Sequence, residues 1–272
     1  MPPFYGLYAG LVPLVVYAIF ASSTRLSVGP VAVSALLVLA GVSELAKPFS
    51  PEYITLVITA GLLIGVAQII LSLFRMGFLV NFLSHPVISG FTSAAAIIII
   101  ISQLSDGLGM DIPRFSHSLQ TLKYGLGHWH DINPISATLC LGSISLMLVL
   151  KKISRKIPGP LVVVVIGILL SYFLQLDTKG VEIIASVPQG LPTFQWPAIN
   201  IDMIQRLLPT VIAVTIIGIV ESIGIAKALE IKHKDHTVKP NQELFALGFA
   251  KVAGAFFQAI PTSGSFSRSL RR

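Results

Sequence analysis

The chain has 272 residues, 54% of them hydrophobic and only 11% charged, with a mean hydropathy of +0.83, whereas a soluble globular domain carries about 25% charged residues. That composition excludes an ordinary water-soluble fold. The net charge of +7 does not point to nucleic acid, because the basic residues fall in short loops between apolar runs, where membrane topology accounts for them.

In chain order, a first apolar span is expected over 4–20, with no cleavable signal peptide at Met1-Pro2-Pro3. A shorter run, 28–40, opens with Val28-Gly29-Pro30 and reads as a half-helix, since Pro fits a first helical turn and Gly lets the backbone approach closely. Further spans are expected over 53–73 and 78–104. Residues 105–133 are mixed polar and aromatic and suit the interface, with a short surface helix near 116–124. Spans over 133–150 and 158–174 flank a basic turn at 151–156, and the Pro- and Gly-rich 175–200 has no assignable pattern. A long helix over 202–230 and a last span over 243–260 lead to Thr262-Ser263-Gly264-Ser265, where another helix begins. Cys140, the single cysteine, lies in an apolar run and excludes an internal disulfide.

Alternating the loops across the membrane places Arg25, Arg75, Lys151, Lys152, Arg155, Lys156, Lys227, Lys232, Lys234 and Lys239 on one side. Lys47, Arg114, Lys123, Lys179 and Arg206 fall on the other, which makes the 151–156 side cytoplasmic. Met1 then lies outside, so one further span is expected upstream.

Glu221 stands out, because it follows the almost wholly apolar stretch Val211–Val220. A carboxylate there is tolerated only if protonated, paired or facing a cavity, which marks either a functional acid or a structural hydrogen bond to a neighbouring helix. Gly264 to Ser269 offer helix-start amides and hydroxyls suited to an anion, with Arg268 as a nearby cation; an ordinary Ser-rich cap is the plainer reading. The segments 27–34 and 262–269 echo each other in placing small residues and a glycine before a helix, as in inverted repeats built on discontinuous helices. If so, Gly29, Pro30 and Val31 face the second segment. Lys227 is read as snorkelling and Gln68, Thr92 and Ser93 as helix-packing polars. Asn81 and Ser84 open the fourth span, His85 is either a hinge or a proton carrier, and Lys251 either pairs with an acid or faces water. The chain carries no HExxH, cysteine cluster or Walker A motif, so neither an enzyme nor a cofactor or metal site is expected.

Pro2-Pro3-Phe4-Tyr5-Gly6-Leu7-Tyr8, Val28-Gly29-Pro30-Val31-Ala32-Val33 and Phe82-Leu83-Ser84-His85-Pro86 resemble the sulfate permease family of anion transporters. So do Glu221-Ser222-Ile223-Gly224, Asn241-Gln242-Glu243-Leu244 and Gly264-Ser265-Phe266-Ser267-Arg268-Ser269, in the family's order along the chain. The resemblance implies an all-α polytopic membrane protein: part of a fold of two inverted repeats of seven helices, with discontinuous half-helices. Residues 1–200 would form most of the first repeat, from helix two to helix seven, and 201–272 the start of the second; helix one and a cytoplasmic STAS domain lie outside this sequence. It implies secondary transport of sulfate or a related small oxyanion, coupled to protons, by a homodimer in the inner (plasma) membrane. Sodium-coupled bicarbonate or dicarboxylate transport, or a non-transporting membrane fragment, are the alternatives. By position, the resemblance assigns anion contacts to Gly29, Pro30, Val31, Ala32, Gly264, Ser265, Phe266, Ser267 and Arg268, and proton coupling to Glu221.

Overall fold

A computed structural model describes residues 4–48, 50–78, 85–113, 118–154, 157–183, 190–233 and 237–269. The elements run α1 (Phe4–Ala9), α2 (Val12–Phe20), β1 (Ser27–Gly29), α3 (Ala32–Ser43), α4 (Pro51–Leu73), α5 (His85–Ser102), α6 (Leu104–Leu108) and α7 (Ser118–Gly127). They continue with α8 (Pro134–Ile153), α9 (Gly159–Leu174), α10 (Ile201–His233), α11 (Pro240–Phe256), β2 (Ser263–Ser265) and α12 (Phe266–Ser269). The fold is thus mostly helical, and by length and composition Pro51–Leu73, Pro134–Ile153 and Ile201–Ile231 can each cross a bilayer. Phe4–Phe20, Ala32–Ser43 and Gly159–Leu174 are shorter apolar helices.

Local sequence explains the boundaries. Ser50 caps α4 by accepting from the Tyr53 amide at 3.1 Å, with Pro51 and Glu52 in the first turn, where a missing N–H and a negative charge are both favoured. Asn133 does the same for α8 ahead of Pro134, while Lys151 and Lys152 sit at its negative end. The expected first span is broken between α1 and α2 at Gly10–Leu11; of the expected fourth span, α5 is described from His85, and 79–84 lie outside the described residues. Residues 190–200, unassigned from sequence, run without regular structure and are tied to the end of α11 through Gln195 N–H to the Phe256 carbonyl, 2.8 Å.

The chain divides into two compact units. The first comprises 1–93 and 188–272 and holds two cores. One packs Tyr17, Val28, Ile223, Leu229 and Leu247; the other packs Val42, Leu56, Ile64, Leu207 and Val214, so α10 serves both. The helices α4 and α11 cross so closely at Gly65 and Gly248 that a β-carbon on either would stand 2.8 or 2.7 Å from the other's carbonyl oxygen. In the second unit, 94–187, α8 leaves Leu141, Ile144 and Leu148 exposed, an apolar surface suited to lipid tails. There Asn133 also donates from its side-chain amide to the Lys179 and Gly180 carbonyls at 3.1 Å each.

Candidate functional site

The two echoing segments do meet. β1 and β2 form an antiparallel ladder with Ser27 opposite Ser265, Val28 opposite Gly264 and Gly29 opposite Ser263, an element of strand where only half-helix starts were expected. β1 leads through Pro30 and Val31 into α3, and β2 leads directly into α12, so the two helices leave from opposite ends of the antiparallel ladder. Pro30 lies before the helix rather than in its first turn, and Val31 is the N-cap, extended at φ −125° and ψ 133°. Val31 has no side-chain hydrogen bond to give, so the first-turn amides of α3, including those of Ala32 and Val33, lack a side-chain cap. These are donors with the dipole of a twelve-residue helix behind them.

Arg268 reaches across from α12 and donates to the Pro30 carbonyl at 2.8 Å, spanning the two segments. Its guanidinium fills the space a side chain at Gly29 would need, which is why that position takes glycine. Arg268 and Ala32 both remain exposed, and Arg268 lies against Pro30, two residues before the start of α3. Gly264 departs from its expected role, because its amide donates to Ser222 Oγ at 2.9 Å and is not free for an anion. Ser265 is buried, and its carbonyl accepts from the Ser269 hydroxyl. Phe266 and Ser267 open α12 with their backbone; their side chains, like those of His85 and Thr92, lie outside the described residues, as do Asn81 and Ser84 altogether.

Glu221, half-buried on α10, accepts from Ser263 Oγ at 3.0 Å and has the Ser34 hydroxyl of α3 within interaction range. It therefore touches both segments. The Ser222 and Ser263 hydroxyls are 2.9 Å apart. Ser263 has one hydroxyl hydrogen and gives it to Glu221, so Ser222 is the donor to Ser263. A directed chain results: Gly264 N–H to Ser222, Ser222 to Ser263, Ser263 to the Glu221 carboxylate. Each bond polarises the next, and every hydrogen points towards a negative charge on Glu221.

Three further groups went unassigned or were misplaced from sequence. Lys227 pairs with Glu230, Nζ to Oε2 2.8 Å, rather than simply snorkelling. Lys251 is buried and donates to Gln68 Oε1 at 2.9 Å, so Gln68 is more than a packing polar. Glu243, noted only as part of a motif, is wholly buried; it accepts from Tyr17 Oη at 2.5 Å, from Ser22 N and Oγ at 2.8 and 2.7 Å, and from the Ser23 amide. The available signal was a polar residue inside an apolar helix for Gln68, and the acid three residues past Pro240 for Glu243. Among the described residues no group of three His, Cys, Asp or Glu side chains is placed to hold a metal ion.

Known proteins match this arrangement along the whole chain. Sulfate transporter 4.1, chloroplastic, of Arabidopsis thaliana is 38% identical over 277 residues, covering 99% of this chain and 40% of its own length. A probable sulfate transporter of Mycobacterium tuberculosis is 30% identical, covering 99% of this chain and 48% of its own. The chain thus spans less than half the length of these relatives. Among solved structures, the murine Slc26a9 anion transporter in its inward-facing state superposes with a TM-score of 0.89 at 24% identity, over 100% of this chain and 48% of that one. The transmembrane domain of a cyanobacterium bicarbonate transporter, BicA, gives 0.85 at 22% identity, over 99% and 69%. At those identities the superpositions establish the multi-pass fold. The sulfate permease family itself, whose members are transporters and not enzymes, matches residues 1–271, and to that family this chain belongs.

Proposed function

We propose that the protein carries sulfate or a related small oxyanion across a membrane by proton-coupled symport. The observation that carries this reading is the β1–β2 ladder, which gathers the uncapped first turn of α3, the Arg268 guanidinium and the Glu221 carboxylate from sequence positions far apart. An oxyanion accepts from the Ala32 and Val33 amides and from Arg268, with Val31 bordering it; these donors match its several acceptor oxygens. The names of the two relatives above point to the same substrate class.

Coupling follows from the hydrogen-bond chain. While Glu221 is ionised, Ser263, Ser222 and Gly264 all donate towards it and hold β2 in place. A proton on Glu221 gives the carboxyl a hydrogen of its own and weakens that pull, and β2 carries Arg268 five residues past Ser263. The anion site and the proton site thus share one strand. In this reading the protein works as a homodimer in the inner (plasma) membrane, with the site held in the first compact unit.

Uptake of labelled sulfate into proteoliposomes at acid and neutral external pH tests the reading, with bicarbonate, fumarate and uracil as competitors. Glu221→Gln is expected to abolish proton-driven accumulation while retaining sulfate binding. A variant that accumulates sulfate at the normal rate with an unchanged pH profile would falsify the coupling role. Competition by bicarbonate alone, dependent on sodium, would keep the site and replace the substrate, the outcome that the fold shared with BicA makes worth testing.

A further inference from the structure

We propose that Ser34 links the proton site to the anion site: its hydroxyl holds the Glu221 carboxylate beside the first turn of α3, where the ionised acid competes with the anion until a proton neutralises it. The inference deepens the transport reading above and rests on it for the place of the anion at that turn.

Ser34 is the third residue of α3 and is buried, about 200° around the helix from the exposed Ala32. The Ala35 amide bonds back to the Val31 carbonyl at 3.0 Å, so the amides of Ala32, Val33 and Ser34 precede the helix's own hydrogen bonds, and Val31 offers them no side-chain cap. The buried side of α3 runs along α10. Val38 and Val42 share one core with Leu207, Val211 and Val214, and a β-carbon on Gly41 would overlap the Thr210 side chain. Ser34 lies two turns before Gly41, and Glu221 three turns after Thr210, so both stay on the facing sides of their helices. The Ser34 hydroxyl is accordingly in hydrogen-bonding range of the Glu221 carboxylate. One residue thus belongs to the turn that offers its amides to the anion and touches the acid that takes the proton.

A carboxylate beside a helix start is favoured by the same unpaired amides and dipole that attract an oxyanion. Two negative charges at one helix start repel each other, so ionised Glu221 lowers the affinity of the α3 turn, and a proton on Glu221 restores it. By linkage the bound anion favours that proton by the same factor. Proton and anion therefore bind cooperatively, the sign that suits symport. The groups that act on Glu221 are Ser34 from α3, Ser263 from β2 and Lys251 from α11, itself bonded to Gln68 of α4. Lys227 of α10 is paired with Glu230, and Glu243 of α11 is held by Tyr17, Ser22 and Ser23. The substitutions that test the proposal leave Glu221 and Lys251 in place.

The test is equilibrium binding of labelled sulfate to the whole protein in lipid, at acid and at neutral pH, for wild type, Ser34→Ala and Ser34→Thr. Wild type is expected to bind roughly tenfold more tightly at acid pH. Ser34→Ala keeps every amide of the α3 turn, so its affinity at acid pH should stay within about twofold of wild type. At neutral pH it should bind more tightly than wild type, because the competing carboxylate is no longer held at the turn, and the acid-to-neutral ratio should fall to about two. Ser34→Thr keeps the hydroxyl and should restore the wild-type ratio. If Ser34→Ala loses sulfate binding altogether, Ser34→Cys, which keeps the volume and supplies only a weak donor, is read by the same ratio. A wild-type ratio that persists in the variant lacking the hydroxyl overturns the inference and leaves the transport reading standing; that is also what a merely structural serine would give, with both affinities lowered alike. A wild-type protein that binds sulfate equally at both pH values overturns the proton-coupled reading itself, and the inference with it.

Discussion

Glu243 gives a sharp test of the packing around the site, because its carboxylate is wholly buried and yet separate from the proposed anion surface. Its donors come from one short stretch: Tyr17 Oη on Oε2, and Ser22 N, Ser22 Oγ and Ser23 N on Oε1. Glu243→Ala leaves the Tyr17 hydroxyl and the Ser22 and Ser23 amides without acceptors, whereas the Ser22 hydroxyl can still donate to the Lys239 carbonyl, 3.5 Å away. Three orphaned buried donors at about 1–3 kcal/mol each, partly relieved by water, put the cost at about 3–6 kcal/mol. Glu243→Gln keeps an oxygen for the Oε1 donors, and the Tyr17 hydroxyl can turn to accept from its NH2, so only charge assistance is lost, about 1–3 kcal/mol. Tyr17→Phe removes one charge-assisted bond and should cost about 1.5–3 kcal/mol. Unfolding of the purified protein, followed by tryptophan fluorescence in graded denaturing detergent, would measure all three. An alanine variant within about 0.5 kcal/mol of wild type would refute the reasoning, and so would one that kept its stability but changed the pH dependence of transport.

Two other substitutions separate stability from binding. In Gly29→Ala the new methyl displaces the tip of a flexible side chain, Arg268, rather than backbone; stability should change by less than about 1 kcal/mol while sulfate affinity falls about tenfold, read by competition binding. Asn133→Ala removes the α8 cap and the ties to the Lys179 and Gly180 carbonyls; it should cost about 1–2 kcal/mol of stability with sulfate affinity unchanged, a contrast that a denaturation curve and the same binding assay would expose.

The longer helices were legible because each leaves an apolar run, as 53–73 and 133–150 do; the caps Ser50 and Asn133 that set their starts were not read. The β1–β2 ladder was not. Three residues of strand have no alternation to read, and their pairing joins positions more than two hundred residues apart, so only the echo between 27–34 and 262–269 hinted at it. Arg268 was legible as a cation near a helix start, but its bond to the Pro30 carbonyl depends on that same long-range pairing. The Gln68–Lys251 contact was hidden for a similar reason: a polar residue within an apolar helix announces that it needs a partner without saying which helix brings one.

The two acids of the first unit show why depth alone does not identify a functional carboxylate. Glu221 drew attention in the sequence because it interrupts an apolar stretch, yet Glu243, four residues into α11, is the more deeply buried. A carboxylate has room for about four donors. Glu243 has four, all neutral and all from Tyr17, Ser22 and Ser23, so its charge is fully solvated by protein and a proton would have to displace one of them. Glu221 has the Ser263 hydroxyl and the nearby Ser34 hydroxyl, and it retains partial exposure. Its spare lone pairs are where a proton can arrive without breaking the structure first, and its two hydroxyl neighbours belong to the segments that border the proposed anion surface. In the proposed reading, unfilled acceptor capacity rather than burial is the property that suits Glu221 to coupling.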